Sequence, residues 1–183
     1  MGSLFIMQVI TGKEQYYISH AKKMLFDRAG DVRLILPRRR MRIRKKGRFL
    51  TDERPVFPGY LFFECDEPDA DMQNTMRRIP GYIRFLNREK GVLKPLSEPD
   101  RNLVAHLVSG GEIAGSSQVT FDKNNRIVAL SGPLKGIEGK IIKVDRRKQR
   151  ARVRFLLNDK TFIIDFQYEE IQLAEDQKNK NAQ

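Results

Sequence analysis

A chain of 183 residues has room for one ordinary domain or two small ones. Its 35 Lys and Arg against 23 Asp and Glu leave a net charge of +12, which favours polyanionic partners, nucleic acid first. No apolar run approaches the ~20 residues of a bilayer span, and the lone Cys65 excludes an internal disulfide and a cysteine-held metal. Residues 1–10 lack the basic flank and small-residue cleavage site of a secretory signal. Cytoplasm is therefore the expected compartment, no membrane is expected as a partner, and Cys65 reads as a buried filler.

In chain order, residues 4–10 form an apolar segment of strand length, and Thr11 with Glu14 has the spacing of a helix capping box. Tyr17, Ala21, Met24 and Leu25 then recur at helical spacing, with Gly30 placed to stop the helix. Residues 32–36 and 56–65 read as strands, separated by a polar, basic arm. Asp69 or Asp71 caps a short helix with Met72, Met76 and Ile79 inward, and Pro80 with Gly81 ends it. Residues 82–86 make a further strand, and Ser97, Pro99 and Asp100 start a last helix with Leu103, Leu107 and Val108 on its apolar side. Strand, helix, strand, strand, helix, strand is the ferredoxin-like order of an α+β sandwich, assigned here to residues 1–108.

Gly110, Gly111, Gly115, Ser116 and Ser117 give residues 109–122 the composition of a flexible tether. Beyond it, over 123–175, strand-like segments at 126–130, 139–145, 151–157, 161–168 and 171–173 predict a small all-β barrel. Residues 176–183 are polar and read as a disordered tail.

Two concentrations of charge stand out. Arg38, Arg39, Arg40, Arg42, Arg44, Lys45, Lys46 and Arg48 fall within eleven residues that contain no acid. Such a run repels itself unless solvated or neutralised by phosphate, which the planar guanidinium grips with two hydrogen bonds. Between residues 123 and 154, eleven basic residues face only Glu138 and Asp145, a net +9. Lys135 lies in a glycine-rich connection, Arg146, Arg147, Lys148 and Arg150 in a hairpin turn, and Arg152 and Arg154 alternate with Val153 and Phe155 on the outer face of a strand. No exposed aromatic platform is evident there, so backbone and shape recognition of an RNA hairpin is expected rather than reading of a single strand.

The segments TGKE at 11–14, FPGYLFFE at 57–64 and IPGYIRFL at 79–86 resemble the N-terminal (NGN) domain of the NusG family of transcription elongation factors. FDKNNRIVALSGPLKGIEGKIIKVD at 121–145 is similar to the KOW motif that opens that family's C-terminal SH3-like barrel. The resemblance implies that the N-terminal domain docks on the clamp helices of RNA polymerase through an apolar depression, with Tyr60 and Phe62 on its lining positions; a monomer is expected. Tyr60 and Phe62 are two apart, so they share one face of their strand while Leu61 and Phe63 take the other; Ile83 and Phe85 stand ready to extend the same patch. Read without the resemblance, these four side chains are ordinary core. The resemblance further implies that the arm points toward upstream DNA, and that general family barrels bind a ribosomal protein or a termination factor. This barrel is more basic than that role requires, which leans toward a specialised paralogue of the LoaP antiterminator type. A ribosome-associated KOW-type RNA-binding protein is the alternative.

Catalysis has little support. The two histidines, His20 and His106, lie in separate predicted helices without a partner at metal-ligand spacing, and Asp52–Glu53 and Glu169–Glu170 are adjacent, which in strands sends each pair to opposite sides. The glycines around Gly132 and Gly139 miss the spacing of a nucleotide-binding loop, and Ile141 follows Lys140 where a hydroxyl should bind magnesium. Neither enzyme activity, cofactor nor metal is expected.

Overall fold

The structure, a computed structural model, describes residues 2–28 and 32–172; the helix stop expected at Gly30 and the tail expected at 176–183 lie outside them. In chain order the elements begin with β1 (Ser3–Val9), α1 (Glu14–Met24), β2 (Arg33–Ile35), β3 (Arg38–Lys45), β4 (Arg48–Pro55) and β5 (Tyr60–Cys65). There follow α2 (Ala70–Arg78), β6 (Tyr82–Phe85), β7 (Arg88–Glu89), β8 (Val92–Leu93) and α3 (Glu98–Val108). The remainder is β9 (Ile113–Ala114), β10 (Ser117–Phe121), β11 (Ile127–Ala129), β12 (Ile141–Asp145), β13 (Arg150–Leu157) and β14 (Lys160–Glu170). They form two compact units that do not follow chain order: Met1–Pro37 with Pro55–His106, and Arg38–Arg54 with Leu107–Gln183.

The first unit is built on an antiparallel sheet of order β2-β5-β1-β6, the ferredoxin-like arrangement expected from the element order. Phe5 and Met7 of β1 and Leu61 and Phe63 of β5 face one side, where Tyr17 and Ala21 of α1 and Met72 and Met76 of α2 cover them. Phe5 and Phe63 are register partners and stack at 5.2 Å. The buried Tyr17 hydroxyl donates to the Met76 carbonyl at 2.9 Å, and burial, with a smaller contribution from Tyr82, pushes this phenol above its ordinary pKa. Asp69 caps α2 by accepting the Met72 amide at 2.7 Å, as its position in the sequence predicts. Cys65 is a free, buried thiol, and burial followed by Asp66 and Asp69 raises its pKa to about 11.

The expected capping box at α1 does not form. Lys13 occupies the N-cap and makes no side-chain cap bond. Glu14 is instead buried, and its carboxylate accepts the Gly59 amide at 2.7 Å. Gly59 has φ +80°, and a Cβ there would stand 2.7 Å from Thr11 Oγ1. The TGKE and FPGY segments are thus two sides of one packed corner.

In the second unit the basic arm is not a loop but a β-hairpin. β3 and β4 are joined by Lys46 and Gly47, both at positive φ (48° and 78°), the signature of a tight two-residue turn. β3 lies between β4 and β9 in a three-stranded sheet. The barrel sheet has the order β11-β10-β14-β13-β12 and curls into an SH3-like fold. Along β13, Ala151, Val153, Phe155 and Leu157 point inward while Arg152, Arg154 and Leu156 point out.

Two expectations change here. The window 109–122 contains β9 and β10, and β10 supplies the barrel's fifth strand by pairing with β11 and, in parallel, with β14. Ile171 and Gln172 form no strand, and Leu173 lies outside the described residues. Small residues in this window serve close approach. Ser117 is fully buried and accepts the Leu134 amide at 3.0 Å, and Gly132, at φ +82°, sits so near that a Cβ would meet the Ser117 Cα at 2.7 Å. Composition alone reads such packing as flexibility.

Candidate nucleic-acid interface

The arm is held against the barrel by its own alternation and by a small polar network. Met41 is buried, whereas Arg40 and Arg42 on the opposite face of β3 are exposed. Arg39, on the Met41 side, donates to the Asp165 carbonyl of β14; burial draws its guanidinium below the ordinary arginine pKa, with Asp165 opposing. The Arg42 amide donates to Gln167 Oε1 at 3.4 Å, Gln167 Nε2 donates to the Lys148 carbonyl at 3.2 Å, and Arg150 Nη2 donates to the Arg42 carbonyl at 2.8 Å. A buried Gln167 therefore ties the hairpin to the turn between β12 and β13.

Between hairpin and turn opens a cleft of about 440 Å³ lined by Arg42, Arg44, Phe49, Arg147, Lys148, Gln149, Arg150 and Gln167. Five of these eight are cationic and none is acidic, so the cleft suits an anion. On its arm side the Phe49 ring is 60% exposed, with the Arg42 guanidinium 3.9 Å from its centroid and Arg44 at 5.9 Å. Each such contact contributes about 0.5–1 kcal/mol at an exposed site. Arg42 and Arg44 here meet Arg147, Lys148 and Arg150, which lie more than a hundred residues further along the sequence.

The other basic residues singled out by sequence are placed differently. Arg38 and Arg40 both reach Glu53 on β4, at 3.4 and 3.1 Å. Arg152 binds the Asp165 carboxylate through two nitrogens at 2.7 and 3.2 Å. That hydrogen bond lowers the Asp165 carboxyl below its ordinary pKa and raises the Arg152 guanidinium. Arg38, Arg39, Arg40 and Arg152 are thus engaged within the protein. Arg146 lies over the Phe121 ring at 3.8 Å and donates to Asn125 Oδ1 at 3.1 Å. Lys45 and Lys46 are exposed at the hairpin tip, Lys135 in the loop after Gly132, and Arg154 on the outer face of β13 opposite Ile163. Sequence reading passed over Phe49 and Gln167, because a lone aromatic and a lone amide carry no pattern until the β3–β4 hairpin sets Phe49, and β14 sets Gln167, beside the arginines.

On the first unit, Tyr60 and Phe62 do share the sheet face opposite Leu61 and Phe63, as alternation predicts. Both are nevertheless buried, at 8% and 0% exposure, which corrects the expectation of rings open to solvent. Phe62 packs edge-on against Phe57 at 5.9 Å. Ile83 and Phe85 do not share a face: Ile83 is 47% exposed, whereas Phe85 lies in the helix-covered core beside Phe63 and Tyr82. The cause is a register shift between Gln8 and Val9 that breaks the alternation of β6. Gln8 pairs with Tyr60 on one side and Arg84 on the other, and Arg84 Nε donates to its Oε1 at 3.1 Å.

Among the described residues no group of His, Cys, Asp or Glu has metal-binding proximity, and no helix is long and apolar enough to cross a membrane. The family model described as "Transcription termination factor nusG" matches residues 3–104. A "Transcription termination/antitermination protein NusG" from Treponema pallidum is 28% identical over 163 residues, covering 81% of this chain and 86% of the relative. The protein of the same name from Borreliella burgdorferi is 26% identical over 133 residues, covering 68% and 72%. Among solved structures, one described as "Domain interaction in Thermotoga maritima NusG" superposes with a TM-score of 0.59 at 18% identity, over 91% of this chain and 94% of that one, a likeness of fold.

Proposed function

Because the chain belongs to the NusG family of transcription termination factors, we propose that it acts on elongating transcription by attaching to RNA polymerase and offering its basic cleft to an RNA hairpin. The observation that carries this reading is the joint cleft of arm and barrel turn, with five cations and no acid on its walls. A-form RNA is gripped through phosphates and 2′-hydroxyls more than through base edges, and the guanidinium groups of Arg42, Arg44 and Arg147 suit that task. So concentrated a positive site favours a specialised paralogue of the LoaP antiterminator type over a general factor. Upstream DNA is the competing polyanion for the same arginines.

Attachment to the polymerase clamp helices is assigned to the sheet face of Tyr60 and Phe62, with the exposed Ile83 and Arg84 beside it. Docking there requires both rings to be uncovered, since neither is open in this structure. Transcription across a terminator in vitro, with purified polymerase and the full chain, tests the whole reading. The wild type is expected to change the read-through fraction. Ile83→Glu, whose side chain is exposed and whose loss leaves the core intact, should abolish both the effect and co-purification with core polymerase. Arg147→Glu with Lys148→Glu should abolish the effect while co-purification persists. Full activity of both variants would overturn the assignment of polymerase and RNA to these two surfaces.

A further inference from the structure

Phe49 is an exposed aromatic ring in a site otherwise suited to phosphate. A large apolar side chain that is 60% exposed on a charged hairpin gains little from burial, so packing does not account for it. Arg42 lies over the ring and Arg44 beside it, and both line the same cleft as Arg147 and Lys148. The volume of about 440 Å³ falls within the ~300–1,000 Å³ typical of small-ligand sites. A paired helix presents its bases edge-on inside the stack and offers no ring face to such a site. An unpaired base does offer one, and unstacked RNA bases are taken up on aromatic rings and on arginine planes.

Resting on the RNA-binding reading above, we propose that this cleft receives one unpaired nucleobase of a structured RNA, stacked on the Phe49–Arg42 pair, while Arg44, Arg147 and Lys148 hold the flanking phosphates. The hairpin is then recognised at a bulge or loop, not by helical shape alone. Gln167 and Arg150 act as positioning residues, because their hydrogen bonds fix the arm's distance from the barrel turn. Duplex DNA, which has no unpaired base, makes only the phosphate contacts.

Fluorescence anisotropy with the full chain distinguishes the two contributions, using a short RNA hairpin with one bulged adenine, the same hairpin fully paired, and a DNA duplex of the same sequence. Stacking of a base is worth about 1–3 kcal/mol, so the bulged hairpin should bind roughly tenfold more tightly than the paired one. Phe49→Ala should erase that preference by weakening the bulged hairpin far more than the paired one, whereas Phe49→Trp should preserve it. Arg147→Ala with Lys148→Ala should weaken all three probes and flatten their salt dependence. Equal binding of bulged and paired hairpins by the wild type, or an equal loss on both from Phe49→Ala, would overturn the stacking site while leaving phosphate binding in place. Absence of salt-dependent binding to any probe would sink the RNA-binding reading itself, and the stacking site with it.

Discussion

Glu14 shows how a single side chain can be misread from its spacing yet prove more consequential than the spacing suggested. Its carboxylate is buried on the amide of Gly59, joining the start of α1 to the entry of β5. Glu14→Ala leaves that amide without its acceptor, at a cost of about 1–3 kcal/mol for a buried unsatisfied donor. A urea titration should show a lower midpoint with an unchanged slope; an unchanged midpoint would mean that the corner is held by other contacts. Asp165 supplies a second residue-scale test. Its carboxyl is held below the ordinary aspartate value by Arg152, so its stabilising contribution is present above about pH 3.9 and lost as pH falls through the lower folded value. Asp165→Asn should therefore weaken the protein at neutral pH and flatten the acid limb of its stability curve. If wild type and variant lose stability in parallel below pH 4, the pair contributes nothing to acid sensitivity. Cys65 is buried, as the sequence suggested, and because burial also raises its pKa it should alkylate slowly with iodoacetamide near neutral pH unless the protein is unfolded.

Among the elements, those whose signal is local were legible. α2 with its Asp69 cap and inward methionines, β1 with its apolar run, and β13 with its strict alternation all lie where their residues place them, within a residue or two at the ends. The arm was not legible. Its arginines conceal the alternation of Met41 and Ile43, and besides pairing with β4 it pairs with β9 and packs against β14, which bring in residues far from it in sequence. β10 was hidden for the opposite reason, since the small residues that allow its close packing resemble a tether. In β6 the two-residue rule failed at one register shift, separating Ile83 from Phe85 although both face and period looked clear in the sequence. The hairpin's dependence on Gln167 is measurable. Gln167→Leu keeps the approximate volume but removes both hydrogen bonds to arm and turn, so amide exchange over β3 and β4 should rise by tenfold or more while β13 stays protected. Equal protection in variant and wild type would show that Met41 and Arg39 suffice to hold the arm.

At the scale of the molecule, the path of the chain matters more than the count of its domains. The second unit takes residues 38–54 from the middle of the first, so the chain passes between the units three times, not once. A fragment of residues 107–183 keeps the barrel strands and the β12–β13 turn but lacks Arg42, Arg44 and Phe49. It should bind a bulged RNA hairpin no better than a paired one, and a fragment with the selectivity of the full chain would place recognition in the barrel alone. The basic character that composition revealed is real, but its useful part is smaller than the total. Arg38, Arg40 and Arg152 are matched by internal carboxylates, and Lys148 at the cleft is 4.0 Å from Asp145, whereas no acidic residue lines the cleft itself.

This threading has a consequence for how such proteins can diversify. If barrels were exchangeable cassettes, recombination anywhere near residue 107 could graft a new specificity onto an old polymerase anchor. Here a transplanted barrel would inherit half of its binding groove from the recipient's hairpin. A successful graft must carry residues 38–54 along with it, so a change in target selection involves two separate stretches of the gene at once.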